Sequence, residues 1–376
     1  MKRYYQMFIG SAAFLTRGGL VMVFSASSAA AIAQTGAIYG LSWKQAAAII
    51  VSAPLAWLAS QLSLDAWKRI ARVGVWISIS MLSLLQIKSM SKSVNGNTNW
   101  IMLGPFDLQP SEVAKFFLIL WAGYLISRQS TKRDRNFAIT LVGGFFLSLL
   151  LVLLGKDLGS AIVIGSIMLA LIWISGLPAR FIGFVSSVGI VAVTTLVLSQ
   201  PYRRERFFAV LNPFADGTYK NAGWQPAHSI MALASGGIFG VGLGGSKQKW
   251  GNLPEAHTDF IFSIIGEELG MIGAVSVVLA IAILIYASIR ISLNSKDQMS
   301  KYVGIGIASW IAIQSIINLG SATGVFPVVG VTLPFVSYGG SSMLALALAV
   351  GYIAGIAFRD PELKTEINTS WPRQRA

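Results

Sequence analysis

The chain has 376 residues, of which 54% are hydrophobic and only 12% are charged, and its formal net charge is +14. A soluble domain carries about twice that charged fraction, so the composition indicates a polytopic membrane protein. The lack of cysteine excludes disulfides, a thiol nucleophile and a cysteine-based zinc site, and two histidines are too few for a histidine metal centre. Cytoplasmic loops rich in Lys and Arg explain the positive charge better than nucleic-acid binding does.

Ten windows of roughly 20 mostly apolar residues, the length of a spanning helix, recur along the chain. We therefore predict an all-α polytopic membrane protein with ten transmembrane helices, built as one domain over residues 1–376. The windows are about 7–34, 45–62, 70–88, 113–127, 136–154, 160–176, 181–199, 260–289, 302–325 and 340–358.

The N-terminal segment resembles a cleavable signal peptide, because Lys2 and Arg3 precede an apolar run that ends in small residues at 27–34. Arg17 interrupts that run, so we favour an uncleaved first transmembrane helix. Ten helices place both termini on one side. That side holds most of the Lys and Arg, including those of loop 127–135 and the C-terminal tail, so the positive-inside rule predicts cytoplasmic termini.

One large extracytoplasmic loop, residues 200–258, is then left between the seventh and eighth helices. It opens on YRRER, with Arg203 and Arg206, and later contains a glycine-rich run at 235–246 followed by Lys247. Such glycines either expose N–H groups to a phosphate or allow close packing of a re-entrant segment. The absence of a GK[ST] ending argues against a P-loop nucleotide-hydrolysing site.

The segment 253–270, LPEAHTDFIFSIIGEELG, places His257 and Asp259 where a long apolar helix begins. A carboxylate at that position either caps the helix or does chemistry. Glu267 and Glu268 follow on other faces of the helix, so we expect a structural or gating role for them.

Other polar groups are predicted on the same outer side. Residues 95–112 read as an irregular loop because they contain two prolines and two glycines, with Ser111 as the cap of the next helix. Glu112 and Lys115 share one helix face, where they form an ion pair or direct Lys115 towards an anion. Asp157 is either a helix cap or a site residue.

Ser337 also lies on this side, within TLPFVSYGGSS at 332–342, but no GxSxG elbow surrounds it, which argues against a serine hydrolase. These outer polar groups together predict a site for an anionic, partly apolar substrate that is reached from the outer leaflet.

Together these segments resemble the SEDS family (shape, elongation, division and sporulation), in order and over nearly the whole chain, and most of all its division branch. One departure is Asn97-Thr-Asn99, where family members often carry Arg before the Trp. The segments that carry the resemblance are LVMVFSASS (20–28), WIMLGPFDLQPSEVAK (100–115), DLG (157–159), LPEAHTDFIF (253–262) with GEELG (266–270), and LPFVSYGGSS (333–342).

The resemblance implies a peptidoglycan glycosyltransferase of the bacterial plasma membrane that polymerises lipid II, a disaccharide-pentapeptide on undecaprenyl pyrophosphate, at the division septum. It implies Asp259 as the catalytic residue. A class B penicillin-binding protein, which crosslinks the strands, and other divisome membrane proteins are the implied partners, and Mg²⁺ or Mn²⁺ could assist. The candidate substrate-binding residues are Lys115, Arg203, Arg206, Glu112, Asp157, His257, Ser337 and Lys247.

This chemistry needs a general base for the acceptor hydroxyl and positive charge near the departing pyrophosphate. Partial burial would raise the pKa of Asp259 into a useful range. Two rival hypotheses remain: a lipid II flippase, supported by Arg17, Lys115, Glu267 and Glu268 within apolar helices, and a divisome scaffold without catalysis.

Overall fold

A computed structural model of the chain describes residues 1–36, 39–87, 89–94, 97–103, 106–129 and 135–360. The C-terminal tail and most of loop 127–135, both predicted on the inner side, lie outside these residues. The described elements are α1 Lys2–Thr35, α2 Ser42–Gln61, α3 Leu64–Leu84, β1 Ser91–Val94, β2 Asn97–Leu103, β3 Phe106–Leu108, α4 Pro110–Arg128, α5 Arg135–Leu154, α6 Leu158–Ser175, α7 Ala179–Leu198, α8 Pro201–Ala209, α9 Asp216–Tyr219, α10 Trp224–Gly236, α11 Ile261–Leu293, α12 Gln298–Ala322 and α13 Gly340–Phe358.

Each of the ten predicted windows coincides with a long helix, and these are α1 to α7 and α11 to α13. In the described part of the chain, seven helices are long and apolar enough to cross a membrane. The count rises to eight if α2 and α3, which meet at a bend of 111°, form one broken span. The helical membrane fold is confirmed, whereas the count of ten spans is not.

The bundle is built around α4 and α13, whose residues are mostly buried. Gly74 of α3 lies against the backbone of Phe117, and Gly123 of α4 lies against Val303 of α12. Small residues at these crossings let the helix backbones approach closely, which is how membrane helices gain packing energy. By contrast α7 has a single buried residue, Val197, so almost its whole apolar surface faces outward.

The segment before α4 is not an irregular loop, and that prediction is wrong. It forms a three-stranded antiparallel sheet in the order β1-β2-β3, because Thr98, Trp100 and Ile101 favour a strand. The prediction of Ser111 as a helix cap is also wrong. Gln109 occupies the cap position of α4, and the Ser111 hydroxyl instead lies 3.2 Å from that of Ser160.

The segment 200–258 contains three helices, α8, α9 and α10, which are joined by turns. Its third helix, α10, packs in parallel beside the first turns of α11. The Ser229 hydroxyl lies 2.6 Å from that of Ser263, and Gly236 lies directly on the backbone of Gly266. Part of this segment therefore packs against α11, and its re-entry into the membrane stays a prediction.

The helix α11 breaks at Gly270, whose φ of 67° and ψ of −166° are not helical. The break frees the carbonyl oxygens of Glu267 and Glu268 from their usual partners one turn later. Val241 and Gly242, in the glycine-rich run, donate their N–H groups to these oxygens, each at 3.0 Å.

The exchange is reciprocal. The N–H groups of Met271 and Ile272, freed by the same break, donate to the carbonyl oxygens of Gly237 at 2.9 Å and Ile238 at 3.3 Å. Backbone N–H and carbonyl groups of the glycine-rich run are therefore hydrogen-bonded to α11. This pairing favours the close-packing interpretation of the run over a phosphate-binding loop.

The acidic side chains of α11 fix the same segment from the other side. Glu267 accepts a hydrogen bond from the backbone of Lys247 at 3.0 Å. Glu268 accepts one from the ammonium group of Lys249 at 2.9 Å and one from the Ser25 hydroxyl at 2.6 Å. These contacts agree with the structural role expected for both glutamates, and they attach α1 to the break in α11.

We expect Gly240→Ala to destabilise the protein most among three glycine variants. Gly240 has a φ of 82°, and an added Cβ would collide with the backbone of Glu268. Gly242 has a φ of 96° but open space around it, so Gly242→Ala introduces backbone strain of about 1–2 kcal/mol without a steric clash. Gly183, in open space on α7, carries neither cost. Thermal unfolding in detergent measures the series, and equal melting temperatures for all three variants would refute the packing argument.

Candidate functional site

Asp259 stands two residues before the first residue of α11, where Phe260 occupies the cap position. The chain reaches it through a tight turn in which Glu255 has a φ of 57°. The carbonyl of Glu255 accepts hydrogen bonds from Thr258 and Phe260, both at 3.2 Å. Asp259 is half-buried, and the positive end of the α11 dipole lies beside it.

The loop 323–339, between α12 and α13, packs over this turn and holds it. Asn318 at the end of α12 donates from one amide nitrogen to the carbonyl of Asp259 at 2.8 Å and to that of Val331 at 2.7 Å. Ser337 donates to the carbonyl of Thr258 at 2.6 Å and accepts from the backbone of Leu333 at 2.8 Å. The backbone around Asp259 is therefore fixed from the α12 side.

The side chain of Asp259 is held less tightly than its backbone. No described residue donates a hydrogen bond to its carboxylate. Gly330, with a φ of 75°, lies beside it, so that a Cβ at that position would stand 3.6 Å from the carboxylate oxygen Oδ2. The glycine leaves space next to the carboxylate that a larger residue would take.

The environment raises the pKa of Asp259 to about 7. Burial is the main cause, and the negative charge of Glu255 raises the pKa further. The positive charge of Arg206 opposes this rise, and the charge of Asp157 adds slightly to it. Arg206, Asp157 and Glu255 are thus close enough to Asp259 to influence its charge.

His257 lies in the same turn, half-buried, with its ring 5.6 Å from that of Tyr338. The backbone of Tyr338 donates to the His257 carbonyl at 2.9 Å. Burial lowers the pKa of the imidazole, and the charge of Glu255 partly opposes that effect.

The two arginines of α8 differ in their surroundings. Arg206 donates to the side chain of Gln225 at 2.9 Å and stacks over Tyr202, with its guanidinium carbon 4.8 Å from the ring centre. Arg203 makes longer hydrogen bonds of 3.4 Å to the carbonyls of Leu196 and Lys156. Both side chains remain partly exposed.

Asp157 caps α6 by accepting from the backbone of Ser160 at 2.9 Å. Its other oxygen accepts from Asn99 and from Gln109, both at 3.3 Å. Asn99 therefore ties the sheet to α6. The prediction of Asp157 as a helix cap is confirmed. Its negative charge also raises the pKa of Asp259.

Lys115 is enclosed, with only 1% of its surface exposed. Its ammonium group donates to Glu112 and to Gln314, both at 2.7 Å, and lies 5.2 Å from the ring centre of Trp310. Gln314 in turn donates to the carbonyl of Thr332 at 3.0 Å. Lys115 therefore connects to the site through Gln314 and the loop 323–339.

The remaining candidates take different positions. Ser337 is 4% exposed and joins the turn to the loop 323–339. The side chain of Lys247 is exposed, and its backbone is bound to Glu267, about 12 Å along α11 from Asp259. The structure thus brings Asp259, His257, Arg206 and Asp157 together, whereas Lys115 and Lys247 lie apart from them.

Three glutamine side chains that are important to this arrangement are absent from the sequence predictions. Gln225 holds Arg206. Gln45 of α2 accepts from the backbone of Gly339 at 3.0 Å. Gln314 could have been found, because Gln314 and Asn318 are four residues apart on an otherwise apolar helix.

The residues that the structure describes do not define a metal site. Among the residues that the structure describes, no three His, Asp or Glu side chains converge as ligands. No side chains are therefore assigned to a divalent cation.

The chain matches the family model of the FtsW, RodA and SpoVE cell cycle proteins over residues 5–360. It is 36% identical to a probable peptidoglycan glycosyltransferase FtsW of Mycobacterium tuberculosis, over 95% of this chain and 68% of that protein. It is 36% identical to the protein of the same name in Aeromonas salmonicida, over 90% of this chain and 86% of that protein.

A solved structure described as showing structural coordination of polymerization and crosslinking by a peptidoglycan synthase complex shares the fold. Its matching chain is 28% identical, with a TM-score of 0.74 over 91% of this chain and 95% of that chain. The family match, the relatives and the shared helical fold agree. This chain therefore belongs to the FtsW, RodA and SpoVE family of multi-pass membrane proteins, the SEDS family that its motifs resemble.

Proposed function

We propose that this protein is a peptidoglycan glycosyltransferase that polymerises lipid II for septal wall synthesis, with Asp259 as the general base. The observation that carries the proposal is the half-buried carboxylate of Asp259, whose pKa is raised to about 7. A base works best when its pKa lies near the working pH, because it is then both deprotonated and basic enough to accept a proton. The names of its relatives support the same activity.

In the proposed reaction the 4-hydroxyl of the acceptor sugar attacks the anomeric carbon of the lipid-linked donor. Asp259 takes the hydroxyl proton as the new glycosidic bond forms, and the bond to the pyrophosphate breaks with inversion at that carbon. Arg206 and Arg203 are the cations best situated to stabilise the departing pyrophosphate, because both remain partly exposed on the Asp259 side. Lys115 instead braces the loop 323–339 behind the site.

The topology proposed from the positive charges places Asp259 at the outer face of the membrane and both termini in the cytoplasm. A class B penicillin-binding protein is the proposed partner, because the similar solved chain comes from a complex that coordinates polymerization with crosslinking. Location at the division septum, with other divisome membrane proteins, follows from the resemblance of the chain to the division branch.

The flippase alternative depends on charged groups inside the helices. Three of these groups are bound in place, because Lys115 pairs with Glu112, Glu267 binds the backbone of Lys247 and Glu268 pairs with Lys249. A fixed network suits support of a site better than a path that must release its cargo. Synthesis of glycan polymer from purified lipid II separates an enzyme from both a flippase and a scaffold.

Asp259→Asn is expected to lower polymerisation of purified lipid II by about 10²–10⁴-fold, because the amide cannot accept the proton. The backbone contact from Asn318 to residue 259 remains available in this variant. Asp216→Asn, the same change at an exposed position of α9, is the matched control and should retain activity. Unchanged polymer formation by a folded Asp259→Asn protein would exclude Asp259 as the base.

The pH dependence of the rate offers a second test. Because the base must be deprotonated, the rate should rise with pH around 7, the pKa of Asp259. Arg206 lowers this pKa and Glu255 raises it. Arg206→Gln should therefore move the rise to higher pH, and Glu255→Gln should move it to lower pH. Initial rates over pH 5–9 measure this (roughly the range where such a group titrates), and shifts of the same sign in both variants would contradict the assignment.

The enclosed pair of Lys115 and Glu112 provides a third test. Lys115→Met leaves Glu112 buried without its partner, and such a loss costs about 3–5 kcal/mol. The double variant Glu112→Gln with Lys115→Met removes both charges and should recover much of the thermal stability and of the polymerisation rate. If stability returns while the rate stays low, Lys115 itself contacts the substrate. Thermal unfolding and lipid II polymerisation on the same preparations give both values.

A further inference from the structure

A second polar region lies at the opposite end of the bundle from Asp259. It is a cavity of about 490 Å³ where α3 begins, α4 ends and α12 begins. Since α11 runs from the Asp259 turn to Leu293, near this cavity, a helix long enough to span a membrane separates the two regions. The cavity is lined by Lys68, Tyr124, Ser127, Arg128, Lys296, Asp297, Gln298 and Met299.

The cavity carries an excess of positive charge. Lys68, Arg128 and Lys296 supply three cations against the single carboxylate of Asp297. That carboxylate is already engaged, because it accepts from the backbone of Ser300 at 2.7 Å as the cap of α12 and lies 3.7 Å from Lys68. The lining therefore favours an anion over a cation.

The donors are arranged in a way that suits an oxyanion. Arg128 donates to the hydroxyl of Tyr124 at 3.1 Å, and its guanidinium carbon lies 5.7 Å from the ring centre of Tyr124. These two contacts orient the planar guanidinium, which matches the geometry of phosphate oxygens. Lys296 forms no ion pair with any described residue, so its ammonium group remains available to a ligand.

Buried polar atoms without protein partners lie behind the cavity. Such atoms are rare in folded proteins and need a ligand or a water. Among the described residues they include the indole nitrogen of Trp67 and one guanidinium nitrogen of Arg359. Trp67 adjoins Lys68 in the sequence, and Arg359 interacts electrostatically with Asp297 of the lining.

We propose that this cavity binds a phosphate group, presented either by an anionic phospholipid headgroup or by a soluble phosphate compound on the cytoplasmic side. The site is separate from Asp259 and does not depend on the proposed reaction. The helices α4 and α12 that it would join also carry Lys115 and Gln314 nearer their outer ends. A bound phosphate would therefore brace the two helices that support the catalytic side.

The test uses the purified full-length protein in phosphatidylcholine nanodiscs. In one arm, inorganic phosphate is added at constant ionic strength, and in the other, phosphatidylglycerol is included in the lipid. The variant Arg128→Gln with Lys296→Gln removes two lining charges. The control Arg69→Gln with Arg72→Gln removes two exposed charges at the same end of α3 that do not line the cavity. The melting temperature is the readout.

We expect the melting temperature of the unaltered protein and of the control to rise in at least one arm. The lining variant should need about tenfold more of the same anion, or more, for half of that rise. A response to inorganic phosphate identifies a soluble ligand, and a response to phosphatidylglycerol alone identifies a headgroup. Lys68→Gln replaces the double variant if that protein does not fold. The proposal would be overturned if the melting temperature rose in neither arm, or if the lining variant and the control lost that rise to the same extent.

Discussion

The structure depends on one exchange of backbone hydrogen bonds, made between the break in α11 and the glycine-rich run at 235–246. A helix that breaks at apolar depth exposes groups that lipid cannot satisfy, at a cost of several kcal/mol each. Here Val241 and Gly242 satisfy the carbonyls freed before Gly270, while Met271 and Ile272 turn to the carbonyls of the segment. Glycine is required because the two backbones touch. Each half supplies the backbone partners that the other lacks.

This exchange fixes the first turns of α11, and a second set of contacts fixes the residues before them. Asn318 holds the backbone of Asp259 and Ser337 holds that of Thr258, while Gln314 joins the same loop to Lys115. A general base must be held in place while its carboxylate stays free to approach the substrate. The described polar contacts around the proposed base, Asp259, all hold the backbone, and none of them binds the carboxylate.

The sequence predicts the parts of this arrangement that local pattern determines. Apolar windows located the long helices, and a carboxylate at the start of α11 indicated Asp259. Local pattern does not predict contacts between residues that are far apart in the chain. Lys115 donates to Gln314, 199 residues away, as well as to the nearby Glu112, so the sequence around Lys115 does not reveal its enclosure. The sheet before α4 was missed because Gly and Pro outweighed strand-forming Thr98 and Trp100. The phosphate-binding and close-packing interpretations of the glycine-rich run differ only in what its N–H groups bind. Composition alone does not identify that partner.

The same contrast explains why we propose Asp259, rather than another carboxylate, as the base. Asp157 accepts from Ser160, Asn99 and Gln109, and Glu268 accepts from Lys249 and Ser25. Oxygens occupied in this way hold structure together and have little capacity left for a substrate proton. Asp259 differs from these two, since burial and Glu255 raise its pKa while no described donor occupies its oxygens. Its proposed role as a base therefore depends on what the surrounding network leaves unpaired, and any substitution that supplies a donor there should weaken it as a base.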